Sequence, residues 1–116
     1  MEQSLELIDL ERNRLNNVSW AFSELKHLRY LYLANNNITT LPPEIFGKFC
    51  GSLRALSVSG NRIHFFPSQA LSQCRELSHL NIGYNDIKEI GPRDFGDWAE
   101  KLDTLILRYR IFMMKQ

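Results

Sequence analysis

Two cysteines, three histidines and two Asn-x-Ser/Thr triplets are the groups in this 116-residue chain whose chemistry could set a function. Cys50 and Cys74 could close a disulfide, share a metal or pack as buried thiols. A metal would need further ligands, and no His, Asp or Glu cluster joins them in the sequence. His27, His64 and His79 share no spacing, so no Ser/His/Asp or Cys/His pairing can be drawn. Asp94-Phe95-Gly96 spells a kinase triplet, yet no phosphate loop or catalytic loop accompanies it. Asn17-Val18-Ser19 and Asn37-Ile38-Thr39 fit the acceptor pattern for N-glycosylation, a pattern that an asparagine-rich chain of this size shows about once by accident. These residues outline no catalytic constellation and imply no cofactor and no metal.

The elements that position them follow from a repeat. Leu28, Leu31, Leu33, Asn36 and Ile38 recur at the same offsets as Leu53, Leu56, Val58, Asn61 and Ile63, and as Leu77, Leu80, Ile82, Asn85 and Ile87. An earlier copy reads Leu5, Ile8, Leu10, Asn13 and Leu15, and a later one begins Leu102, Leu105, Leu107. Starts at 5, 28, 53, 77 and 102 give steps of 23, 25, 24 and 25 residues. The second half repeats as well. Val18, Leu41, Phe66 and Ile90 lie thirteen residues after the first four starts, with Phe22, Phe46, Leu71 and Phe95 following four or five later. Pro42, Pro67 and Pro92 stand just past the thirteen-residue mark, where a chain leaving a strand turns without continuing a hydrogen-bonded ladder.

Each unit therefore reads as a strand, a turn and an irregular or short helical return. In the strand, Leu31 and Leu33 point inward while Tyr30, Tyr32 and Ala34 point outward, because side chains alternate. Stacking coils in parallel, about 4.8 Å apart, builds one core that a single unit could not bury. At the ladder position the backbone leaves the sheet, and an amide side chain supplies both a donor and an acceptor for groups otherwise buried unpaired. Asn13, Asn36, Asn61 and Asn85 are read as that structural ladder. Cys50 and Cys74 fall three residues before the next leading leucine, at the offset of Leu25 and Ala99, which is a core position. Buried free thiols are the favoured reading, since cysteine packs as a small hydrophobe. A disulfide would need Cα atoms within about 7 Å, which return segments fanning outward make harder to reach.

On these residues the chain resembles the leucine-rich repeat family over nearly its whole length. The units of about 24 residues, with their proline and phenylalanine marks, are similar to the extracellular class of these repeats, found in adhesion proteins and receptor ectodomains. Ser78-His79-Leu80-Asn81-Ile82-Gly83-Tyr84-Asn85 is similar in wording to insect cell-adhesion members of that class. The resemblance implies an α/β solenoid, a horseshoe segment with a parallel β-sheet on its concave face and irregular or short helical returns on its convex face. It also implies a cell-surface, membrane-anchored array, with the anchor outside this chain.

Residues 1–116 are read as one domain of about five repeats. The last unit carries Arg110 in the ladder position, where a buried guanidinium would be poorly paired, so that end is expected to splay outward, with residues 111–116 resuming no pattern. With no polar cap at either end, the chain is expected to be a fragment of a longer solenoid with open edge strands. The formal charge of +1 is spread without blocks of either sign, which gives no reason to expect nucleic acid. No run approaches the roughly 18 to 20 apolar residues of a spanning helix.

The expected work is protein binding on the concave face. Arg29, Tyr30, Tyr32, Arg54, His79, Tyr84 and Arg108 are the candidate contacts, since tyrosine and arginine most often anchor protein interfaces. The competing reading is that exposed tyrosines in strands pack across the sheet. The partner is expected to be a second copy or another protein, at the extracellular face of the plasma membrane, with Asn17 and Asn37 as glycosylation candidates. A signalling-receptor ectodomain and a cytoplasmic scaffold are the alternatives, and an enzyme is the weakest option.

Overall fold

A computed structural model describes residues 4–18 and 22–108, together with the backbone of Met113–Met114. The described residues form, in order, β1 (Leu7–Asp9), β2 (Tyr30–Tyr32), β3 (Ala55–Ser57), the helical turn α1 (Ser68–Leu71), β4 (His79–Asn81), β5 (Glu89–Ile90), β6 (Thr104–Ile106) and β7 (Met113–Met114), with 3-10 turns at Gly47–Ser52, Pro92–Asp94 and Asp97–Ala99. Strands β1, β2, β3, β4 and β6 form one parallel sheet in that order. The register is that of the repeat: Ile8 opposes Leu31, Leu31 opposes Leu56, Leu56 opposes Leu80 and Leu80 opposes Leu105. An α/β solenoid with a parallel sheet and short helical returns is the fold.

The inward leucines close the core between coils. Leu28, Leu31, Leu33, Leu53, Leu56, Val58, Leu77, Leu80 and Ile82 are fully buried, whereas Leu5, Leu10, Leu102, Leu105 and Leu107 of the flanking coils are only partly so. Each fully buried aliphatic side chain contributes about 1.5–3 kcal/mol relative to exposure. On the return side Phe46 meets Phe49 edge to face with centroids 6.0 Å apart, and Phe66 meets Phe95 at 5.1 Å. The prolines open the turns that begin the return: Pro67 precedes α1, Pro92 starts a 3-10 turn to Asp94, and the Pro42 carbonyl accepts from Ile45 N.

The asparagine positions stitch one coil to the coil before it. Asn61 Oδ1 accepts from Ile38 N at 3.0 Å, while its Nδ2 donates to Leu33 O and Val58 O at 3.0 and 2.9 Å. Asn36 and Asn85 repeat this pattern, and all three side chains are buried. Asn13 differs: it is exposed, and its amide donates to Glu11 O of its own coil. No described coil precedes it to receive the donor.

The residue before each ladder asparagine adopts a left-handed backbone. Arg12, Asn35, Gly60 and Tyr84 have φ of 61, 59, 67 and 56°. Their N–H groups donate to the following coil, at Ala34 O, Ser59 O, Gly83 O and Arg108 O respectively. Glycine and asparagine take this conformation cheaply, whereas arginine and tyrosine do so at a cost.

Two sequence expectations are corrected here. Cys50 and Cys74 form a disulfide rather than standing as free buried thiols, with Cα atoms 4.5 Å apart. The return segments at this level stack as closely as the strands instead of fanning: Cys50 sits in the 3-10 turn Gly47–Ser52, and Cys74 lies in the turn three residues past the end of α1, with its N–H on Leu71 O. At the C-terminal end, β7 resumes pairing: Glu89 opposes Met113 and Ile90 opposes Met114 in parallel. Arg110 lies outside the described residues.

Candidate partner-binding face

The concave sheet presents two rows of outward side chains. The register sets Leu7, Tyr30, Ala55, His79 and Thr104 side by side, and below them Asp9, Tyr32, Ser57, Asn81 and Ile106. Tyr30 and Tyr32 are half-buried, and Leu7 is 51% exposed beside them. Ala55 and Ser57 face outward yet are buried, because their short side chains lie between larger neighbours on both sides. The second coil thus raises an aromatic ridge over a shallow floor, bounded on the far side by His79 and Asn81.

Charge frames the ridge. Arg29 is exposed, with Nε 3.6 Å from Glu6 Oε1 of the coil before. Exposed Arg54 follows it in the next coil, and its charge adds a small lowering to the Glu76 carboxyl. Asp9 and Asn81 are held in place by their own backbones, since each Oδ1 accepts the N–H two residues on, from Glu11 and Gly83 at 3.1 Å. Such preset side chains lose little entropy on contact.

The seven candidate contacts fall into two groups. Tyr30, Tyr32 and His79 share the sheet face, with Arg29 and Arg54 at the edge just before β2 and β3, while Tyr84 and Arg108 sit together where the chain leaves the strands, joined by Tyr84 N to Arg108 O at 3.0 Å. Tyr84 is 52% exposed and held at positive φ. Asn37 and Asn17 are exposed on the turn beyond the ladder, and Thr39 is exposed with Asn37. Ser19 lies outside the described residues. His27 and His64 are exposed and away from the sheet face, and Asp94 serves structure by accepting from Gly91 N and Ser68 Oγ. Among the described residues no cluster of three metal-ligating side chains occurs, and no helix is long and apolar enough to cross a membrane.

Sequence reasoning passed over Phe65, the most exposed large apolar side chain described, at 84%. Its signal was present. Phe66 occupies the buried thirteen-residue position, and the residue before that position is exposed in the other coils as well, at Asn17, Thr40 and Glu89.

A curved parallel sheet with an asparagine ladder and phenylalanine-lined returns defines a solenoid of short coils. The chain belongs to the leucine-rich repeat family, whose profile, described as "Leucine rich repeat", matches residues 3–49 and 51–109. It is 35% identical over 93 residues to human leucine-rich repeats and immunoglobulin-like domains protein 3, covering 80% of this chain and 8% of that protein. It is 34% identical over 79 residues to chaoptin of Drosophila melanogaster, covering 68% of this chain and 6% of that protein. The chain thus spans less than a tenth of the length of these relatives, which are extracellular or cell-surface proteins. Among solved structures, a leucine-rich repeat protein of Leptospira interrogans superposes with a TM-score of 0.84 at 30% identity, covering 97% of this chain and 28% of that one. The Drosophila Toll–Spatzle complex superposes with 0.83 at 22% identity, covering 95% and 14%. The family and its fold are those of protein-interaction modules.

Proposed function

We propose that this chain is a cell-surface adhesion or recognition module, one domain of about five repeats that holds a protein partner on its concave face. The observation that carries the reading is the ridge of Tyr30 and Tyr32 beside exposed Leu7, framed by Arg29 and Arg54. Large rings with one polar end, set on a rigid sheet and flanked by guanidinium groups, are the chemistry of interface anchors. The Cys50–Cys74 disulfide supports an oxidising compartment, outside the cytosol. Likeness to chaoptin supports adhesion.

The Toll–Spatzle superposition favours a second reading, the ectodomain of a signalling receptor. Expression of the complete reading frame in insect cells separates the two. Surface staining without permeabilisation, followed by clustering of expressing cells, supports adhesion. Surface staining with no clustering under any mixing of expressing and non-expressing cells supports the receptor. Retention in the cytosol overturns both in favour of an intracellular scaffold.

A further inference from the structure

Phe65 projects from the turn side of the third coil, away from the proposed binding ridge, and borders open grooves on several sides, among them one edged by Asp86, Lys88 and Glu89 and two others. Of these two, one, of about 680 Å³, runs toward Gly91, Pro92 and Arg93. The other, of about 300 Å³, is walled by Thr39, Thr40, Pro42 and Pro43 of the second coil. Thr39 is the hydroxyl residue of the Asn37-Ile38-Thr39 triplet. Ile38 is 1% exposed, so burial of its side chain turns both Asn37 and Thr39 outward, and the Asn37 backbone is fixed by its N–H on Leu15 O at 2.8 Å. The hydroxyl residue of the acceptor triplet and an exposed phenyl ring therefore border the same shallow groove from adjacent coils, with exposed Asn37 two residues before Thr39 on the same outward side.

We propose that Asn37 carries an N-linked glycan and that the Phe65 ring is the platform on which its first sugar packs. A pyranose offers the face of the ring carbon-bound hydrogens while its hydroxyls stay in water, which suits a lone aromatic side chain in an open, hydroxyl-edged groove. A protein anchor would be expected within a cluster of apolar neighbours at an interface centre. The other large exposed apolar side chains described, Leu7 and Tyr84, are on the sheet and at its end instead. The inference rests on the cell-surface reading, because this sugar is added only in the secretory pathway. It also assigns the Phe65 side of the solenoid as the covered side, leaving the concave face open to the partner.

The test uses the full chain secreted from insect cells behind a cleavable leader, so that the compartment of the natural product does not decide the outcome. Peptide mass spectrometry after N-glycosidase treatment reads occupancy at Asn37, and proton NMR reads the sugar against Phe65→Ala and Phe65→Trp. The expected result is occupancy at Asn37, ring-shifted resonances of the first sugar that vanish in Phe65→Ala and persist in Phe65→Trp, and up to about tenfold faster release of the glycan from the folded Phe65→Ala chain. Sugar resonances unchanged by Phe65→Ala overturn the platform. Sugar at Asn17 with none at Asn37 overturns the site while leaving the cell-surface reading intact. Loss of a protein partner when Phe65→Ala is made on an Asn37→Gln chain shows a protein-docking surface and overturns the proposal as well.

Discussion

The side-chain oxygen of Asn61 accepts the backbone N–H of Ile38, a residue of the preceding coil, at 3.0 Å. The same amide donates to Leu33 O and Val58 O, so one buried side chain satisfies backbone groups of two coils. Asn61→Ala leaves the buried Ile38 N–H without this acceptor, at about 1–3 kcal/mol, while Leu33 O and Val58 O keep the bonds from Asn36 Nδ2 and Asn85 Nδ2 and lose one bond each, at about 0.5–1.5 kcal/mol. The expected loss is at least about 2 kcal/mol in urea denaturation. Asn13→Ala, at the exposed first rung, is expected to cost under about 1 kcal/mol by the same measurement.

The disulfide closes a loop with a sequence separation of 24. Constraint of the unfolded chain by a loop of this size stabilises by about 3–4 kcal/mol. A Cys50→Ala, Cys74→Ala double variant is expected to unfold at a correspondingly lower denaturant concentration. Thiol titration of the unfolded, unreduced wild-type chain is expected to find no free sulfhydryl; two titratable thiols would contradict the bond.

Tyr84 occupies a left-handed position that the coil before it fills with Gly60 and the second coil with Asn35. The strain of a non-glycine residue there is about 1–2 kcal/mol, part of which asparagine avoids. Tyr84→Asn is expected to raise stability by about 0.5–1 kcal/mol in thermal melts. The same change is expected to weaken partner binding, if the tyrosine is kept for contact rather than for folding.

Lys101 Nζ lies 2.7 Å from Glu76 Oε2 on the preceding coil. This hydrogen bond, then the lysine charge, hold the Glu76 carboxyl below its ordinary value, with Arg54 adding to the charge effect and burial opposing it slightly. The folded-state value is depressed, so any stabilisation is present above the unfolded pKa and is lost as pH falls through the folded one. Carbon-detected NMR titration is expected to show the Glu76 midpoint rising in Lys101→Gln. Both side chains are exposed, so the change in global stability is expected to be small.

Much of this architecture is written in the spacing of leucine and asparagine. Leu31, Leu56 and Leu80 fall into one register because an inward side chain every coil has no other place to go. What spacing did not carry was the depth at which the returns stack. Cys50 and Cys74 share an offset, but whether equivalent Cα atoms lie near 4.5 Å or fan apart depends on the turns around them, Gly47–Ser52 and α1. The left-handed residue before the ladder is hidden for a similar reason, since Arg12 and Tyr84 give no sequence sign of it while Gly60 and Asn35 do. On the candidate face, the positions of Tyr30 and Tyr32 were legible from alternation. The burial of outward-facing Ala55 and Ser57 was not, because it depends on the sizes of neighbours one coil away.

The central claim is that a protein partner is held by the ridge of Tyr30 and Tyr32. Its most direct test is binding, or cell clustering, by the surface-expressed full-length protein carrying Tyr30→Ala with Tyr32→Ala, compared with Gln69→Ala on the return side. Truncation of interface anchors costs about 2 kcal/mol or more, roughly a thirtyfold loss of affinity. The predicted result is that loss for the tyrosine variant, with Gln69→Ala unchanged and both proteins folded. Undiminished binding by the double tyrosine variant would contradict the concave face as the site of recognition.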